Sequence, residues 1–227
     1  MPAPDPAVAE RLVLVAGATS ASGLAAARGL RGAGARVVAV GRDAERLTAL
    51  GVAVPGLHTE VCDLTDEAAV TALAERVHAG EGAVDGVLHL VGGWRGGGGL
   101  AGQTEADYRF LEESFTALRH VSRAFDADLR ASAAGRLAVV SSTAVARPLA
   151  GGANYAAVKA ATEAWTRAVA QGFAKDARDA GRPLSAASTI FRVKSLAGHE
   201  DALAQAYIGL WDADAASVND TIIDLEN

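Results

Sequence analysis

Tyr155 and Lys159 stand four residues apart in the run Asn154-Tyr155-Ala156-Ala157-Val158-Lys159, and Ser142 lies thirteen residues before Tyr155. Four apart on a helix, a phenol and an ammonium share one face. A tyrosine ordinarily gives up its proton near pH 10, and a cation beside it favours the phenolate. Two charges about 4 Å apart at an effective dielectric near 20 interact by roughly 4 kcal/mol. That corresponds to about three pKa units. A phenol moved so far can hand a proton to an oxygen near neutral pH. The same spacing also arises on amphipathic helices that do no chemistry, so the rest of the chain decides.

Such side chains need elements to hold them, and one stretch organises the others. Leu12–Val15 is an unbroken apolar run, suited to a strand buried on both faces. Gly17–Gly23 is small and polar, and Leu24–Leu30 reads as a helix with little bulk on its inner side. Strand, glycine-rich turn and helix form the unit that cradles a pyrophosphate against backbone N–H groups and a helix N-terminus. A second run, Val37–Val40, leads into Gly41-Arg42-Asp43. At this strand tip an acid suits the 2′-hydroxyl of NAD and a basic residue the 2′-phosphate of NADP. Asp43 directly precedes a helical stretch, Ala44–Leu50, that it can cap. Arg42 is therefore read as the phosphate ligand, with a solvated surface arginine as the bland alternative.

Further strands are expected at Leu57–Cys62, Val87–Val91, Leu137–Ser142, Leu184–Ile190 and Thr221–Leu225. Helical spacing marks Asp66–Ala79, with Thr65 or Asp66 as its cap, and Glu105–Ser132, the longest pattern. Cys62 reads as a small core residue, since nothing nearby would activate it. His89 is either a hydrogen-bonding group or a satisfied core histidine. Trp94 opens a glycine-rich loop, Arg95–Gly99, that composition marks as mobile; the indole either walls a pocket or simply packs.

Gly17-x3-Ala21-x-Gly23 and Ser142…Tyr155-x-x-x-Lys159 together resemble the short-chain dehydrogenase/reductases. The first follows their TGxxxGxG fingerprint with one glycine enlarged, and the second keeps their usual separation. Arg42, Asp63 and Gly92 fall in the expected order, so the resemblance spans roughly Leu12 to Phe173. It implies a Rossmann-type three-layer αβα sandwich on a seven-stranded parallel sheet. It implies an oxidoreductase that moves a hydride between nicotinamide and a carbonyl or alcohol. Tyr155 would be its general acid/base, Ser142 would hold the substrate oxygen, and Lys159 would also bind the nicotinamide ribose. Gly17, Thr19, Ser20, Ser22 and Gly23 would cradle the pyrophosphate. Arg42, Asp63, Leu64, Gly92, Tyr155 and Lys159 complete the expected cofactor set, with NADP(H) favoured and NAD(H) the other candidate. Three departures stand out. Ser114 occupies the place of a helix asparagine that holds a proton-relay water. His89-Leu90-Val91 replaces Asn-Asn-Ala before Gly92. Thr189-Ile190 stands where Pro-Gly usually follows the sixth strand. These departures keep a second reading open, a non-catalytic cofactor-binding protein that senses redox state or mediates interactions.

The 227 residues suit one Rossmann domain over residues 10–227, after a loose leader, Met1–Ala9, and with a short C-terminal substrate region around His199–Trp211. Half the residues are hydrophobic but only 5% aromatic, so the core is small and aliphatic. A net charge of −6 argues against nucleic acid. The lack of a long apolar run argues against a membrane. One cysteine rules out a disulfide framework, and the five histidines show no metal-ligand spacing. A cytoplasmic enzyme acting on a small carbonyl or alcohol is the expectation. By resemblance it pairs its long helices, Glu105–Ser132 and Tyr155–Ala174, into a homodimer or homotetramer through Trp165, Val169 and Phe173.

Overall fold

The structure is a computed structural model and describes residues 7–225. Seven strands, β1 (Leu12–Ala16), β2 (Arg36–Gly41), β3 (His58–Val61), β4 (Gly86–His89), β5 (Arg136–Ser142), β6 (Ala187–Val193) and β7 (Thr221–Asp224), form one sheet. Every pairing is parallel, in the order β3-β2-β1-β4-β5-β6-β7. β1 shows why both faces need helices. Leu12, Leu14 and Ala16 join one core cluster, whereas Val13 and Val15 join the other.

Helices α1 (Ala21–Gly32), α2 (Ala44–Ala53) and α7 (Glu200–Gly209) cover one face. α3 (Glu67–Gly80), α4 (Glu105–Ala124), α5 (Asp126–Ala131) and α6 (Ala153–Asp179) cover the other, and a short α8 (Ala215–Val218) precedes β7. The helix starts are written in the sequence. Ser20 accepts from the Gly23 N–H at 3.0 Å, Asp43 from Arg46 at 3.0 Å, Asp66 from Ala68 and Ala69, and Thr104 from Asp107. Asp43 is thus the α2 cap that its position implied. α1 begins at Ala21 rather than Leu24, which puts Ser22 and Gly23 in its first turn.

Several expectations need correction. The long pattern Glu105–Ser132 breaks at Phe125 into α4 and α5, so α6, with 27 residues, is the longest helix. The break turns Asp128 under β4, where its carboxylate accepts from the Val84 N–H at 3.0 Å. β6 runs to Val193, opposite Ser142, so Thr189-Ile190 lies inside the sheet, and Lys194-Ser195 follows the strand instead. Arg192 disguised this strand, because its charge is matched only in space, by Glu163 at 2.8 Å. The leader was drawn too long. Met1–Pro6 lie outside the described residues, but Val8 is buried in the core. α7 packs Leu203, Ala204 and Tyr207 into the core beside α1 and covers no pocket. Phe173 is buried within the chain, and the Trp165 indole donates to the Ser122 hydroxyl at 2.9 Å, so the expected free stripe is largely used internally. No helix among the described residues is long and apolar enough to cross a membrane.

Candidate active site

The strand order reverses between β1 and β4, the place where parallel sheets of this kind open a crevice at their carboxyl ends. Two cavities meet there, sharing Ser20, Leu90, Val91 and Gly92 as lining. The smaller, about 300 Å³, is lined by Gly17, Thr19, Arg42, Asp63, Leu64 and Ser114. The larger, about 970 Å³, is lined by Ser22, Ser142, Tyr155 and Lys159. Gly23 sits beneath the turn between them. Every expected site residue is therefore at this crevice, although the two ends of the set occupy different cavities.

Two glycines shape the turn. Gly17 takes φ +83°, and a Cβ there would meet the Leu90–Val91 backbone at 2.9 Å. A Cβ on Gly23 would come within 2.2 Å of the Ala18 carbonyl oxygen. Gly23→Ala is accordingly expected to shift the turn off its place and lower stability by about 1–3 kcal/mol. A denaturant melt checks this, and an unchanged midpoint would mean that the turn yields freely.

At the small-cavity end Arg42 is mostly exposed, and its guanidinium lies 3.5 Å from the Glu113 carboxylate. Such an exposed pair adds little, so the arginine is free to turn to another anion. Asp63 is less free: its Oδ1 accepts from the Thr65 N–H at 2.9 Å and the Thr65 hydroxyl at 2.7 Å, which holds its pKa below the usual carboxylate range.

At the large-cavity end Ser142 closes β5, and Tyr155 and Lys159 stand on the first turns of α6. The Ser142 hydroxyl hydrogen-bonds the phenol oxygen. Lys159 is buried, its Nζ donating to the Val140 carbonyl at 2.8 Å and lying 5.8 Å from the Tyr155 ring centre. The expected lowering of the phenol pKa is not what the fold delivers. Burial pushes the Tyr155 phenol above its ordinary value, against the pull of Ser142. Lys159 itself is drawn down to about 8 by burial, with Glu163 acting the other way. Ser114 is buried on α4, and its hydroxyl donates to the Leu111 carbonyl at 2.7 Å, three residues back rather than the four its position suggested.

Three further residues escaped the sequence reading. Arg46 joins Arg42 on the smaller cavity, a placement legible once Asp43 is taken as the cap that starts α2 between them. Gln103 ties the glycine-rich loop down, donating to the carbonyls of Gly97, Gly99 and Gly151 and accepting from the Asn154 N–H. The loop is thereby fastened to the start of α6 rather than hanging free. Glu163, one turn beyond Lys159, accepts from Ser141 at 2.7 Å and from Arg192, a buried network with no local signature. Trp94, more than half exposed, lines the larger cavity.

Comparison with known proteins agrees with this geometry. The sequence model of the short chain dehydrogenase family matches residues 11–177. Curated proteins gave no match. Among solved structures, the chain is similar to a short chain dehydrogenase from Salmonella enterica serovar Typhi strain CT18, at 20% identity and a TM-score of 0.86 over 100% of both chains. It is similar to a metagenomic short-chain oxidoreductase in complex with NADP, at 27% identity and a TM-score of 0.82, over 96% of this chain and 98% of that one. It also resembles NAD+-bound xylitol dehydrogenase, at 17% identity and a TM-score of 0.83, over 96% and 98% of the two chains. With the family's pattern running from β1 through nearly all of α6, the chain belongs to the short-chain dehydrogenases, a family of oxidoreductases.

Proposed function

We propose that the chain reduces a small carbonyl compound with NADPH, Tyr155 donating the proton. The observation that carries this reading is the meeting of Ser142, Tyr155 and Lys159 on one wall of the larger cavity. The crevice fits a dinucleotide. Its middle is the tight Gly17 turn, whose backbone leaves no room for a side chain, and the α1 N-terminus opens onto it. Gly17, Thr19, Ser20 and Ser22 would hold the pyrophosphate, Asp63 and Leu64 the adenosine end, and Lys159 the nicotinamide ribose. When bound, the cofactor supplies the hydride.

The chain's own part is placement and proton supply. Ser142 fixes the substrate oxygen beside the phenol. Burial keeps Tyr155 protonated at neutral pH, which suits an acid that protonates a nascent alkoxide. Lys159, with a pKa near 8, can return a proton to the phenol at little expense. The relatives bind NADP in one case and NAD+ in another; here Arg42 and Arg46 on the smaller cavity support NADP(H).

Arg42→Ala is expected to weaken NADPH binding about tenfold or more, the worth of a charge-assisted hydrogen bond, and to change NADH binding little. Fluorescence titration with both cofactors, followed by a carbonyl panel read as NADPH absorbance loss, tests the reading. Equal losses for the two cofactors would remove Arg42 from the 2′-phosphate. Tight NADPH binding with no carbonyl reduced would favour the non-catalytic alternative.

A further inference from the structure

His89 ends β4 on the wall of the larger cavity, and the chemistry above gives it no work. Its Nε2 lies 3.0 Å from the Ser114 carbonyl oxygen. A carbonyl only accepts, so Nε2 carries the proton. The ring is also neutral, because burial draws its pKa down to about 4, and the Lys159 ammonium pushes the same way. A neutral imidazole protonated at Nε2 leaves a lone pair on Nδ1. That atom is buried, and no group among the described residues donates to it. Interior acceptors are rarely left so.

The donor at hand is Lys159. An ammonium has three N–H bonds, and the Val140 carbonyl takes one. A Cβ built on Gly92, three residues past His89, would lie 3.8 Å from Nζ, so the ammonium sits over the end of β4. We propose that His89 is a positioning residue for Lys159, its Nδ1 accepting a hydrogen bond from the ammonium through one bridging water, so that the imidazole ties Lys159 to the α4 backbone at Ser114. Ser114 then contributes its carbonyl, while its hydroxyl stays on Leu111. The other groups facing Lys159 leave this place to His89. Tyr155, one turn earlier on α6, is bonded to Ser142. Glu163, one turn later, is held by Ser141 and Arg192. On β5 the Val140 carbonyl is already engaged.

The inference rests on Lys159 belonging to the proposed site, but its test needs neither cofactor nor substrate, so the two readings fail separately. The cofactor-free full chain, with only three lysines and five histidines, suits NMR. In ring ¹⁵N spectra, the histidine signal lost in His89→Asn should show a protonated Nε2 and a bare Nδ1 throughout pH 5.5–8. In Lys159→Met that Nδ1 signal should move downfield, as a nitrogen losing a hydrogen bond does. Titration of the lysine ¹³Cε signals, with Lys159 assigned by the same variant, should give a Lys159 midpoint that falls by about half to one pH unit in His89→Leu. His89→Asn, whose amide oxygen can accept, should return the midpoint to the wild-type value. A protonated Nδ1, an Nδ1 signal indifferent to Lys159→Met, or a midpoint unchanged in His89→Leu would each overturn the proposal. Should His89→Leu not fold, the Nδ1 signal in Lys159→Met decides it.

Discussion

Tyr155→Phe is expected to lower turnover by about 10²–10⁴-fold, the usual contribution of a positioned general acid, while NADPH affinity stays close to wild type. The substitution removes one hydroxyl and keeps the ring, so packing in the half-buried site at the start of α6 is conserved. What disappears is the proton and the hydrogen bond from Ser142. The Ser142 hydroxyl faces the cavity and keeps its bond from the Ala144 N–H at 3.1 Å, so the fold should tolerate the loss. Steady-state rates on any carbonyl found by the NADPH panel, set beside fluorescence titration of the same variant, separate chemistry from binding. A variant that retains most of the rate would mean that another group supplies the proton. A variant that loses NADPH affinity in parallel would mean that the phenol serves binding rather than chemistry.

Acid should weaken the cofactor-free protein in a window that belongs to His89. Its folded pKa of about 4 lies below the ordinary 6.5, because the buried ring resists charge. Between those values the unfolded chain binds a proton that the folded chain refuses. Stability therefore rises with pH across the window and is lost as pH falls from 6.5 toward 4. The gap corresponds to about 3 kcal/mol. Below it, carboxylates held at lowered pKa, Glu60, Asp63 and Glu163 among them, add their own losses. Urea unfolding at a series of pH values should show this slope in wild type. His89→Asn, which cannot titrate there, should flatten it. Parallel pH dependences for the two proteins would show that the imidazole is protonated in the fold without penalty.

The fold and most of the site are written in local patterns. β1 declares itself as an apolar run that ends at Gly17, and Ser20, Asp43, Asp66 and Thr104 mark helix starts because a cap bonds only to backbone two or three residues away. Tyr155 and Lys159 are legible for the same reason, since helical geometry fixes residues four apart. What the tertiary structure alone decided involves partners distant in sequence. The end of β6 was misread because Arg192 finds its carboxylate 29 residues away on α6. The α4 break follows from Asp128 reaching Val84, 44 residues earlier. The direction of the Tyr155 pKa inverted, because spacing gives the distance between two charges but not the burial that opposes ionising either of them. His89 was ambiguous until Ser114, 25 residues on, took one ring nitrogen and left the other turned to the cavity. Sequence spacing fixes geometry only along one element; burial and the meeting of groups from different elements depend on how the whole chain packs.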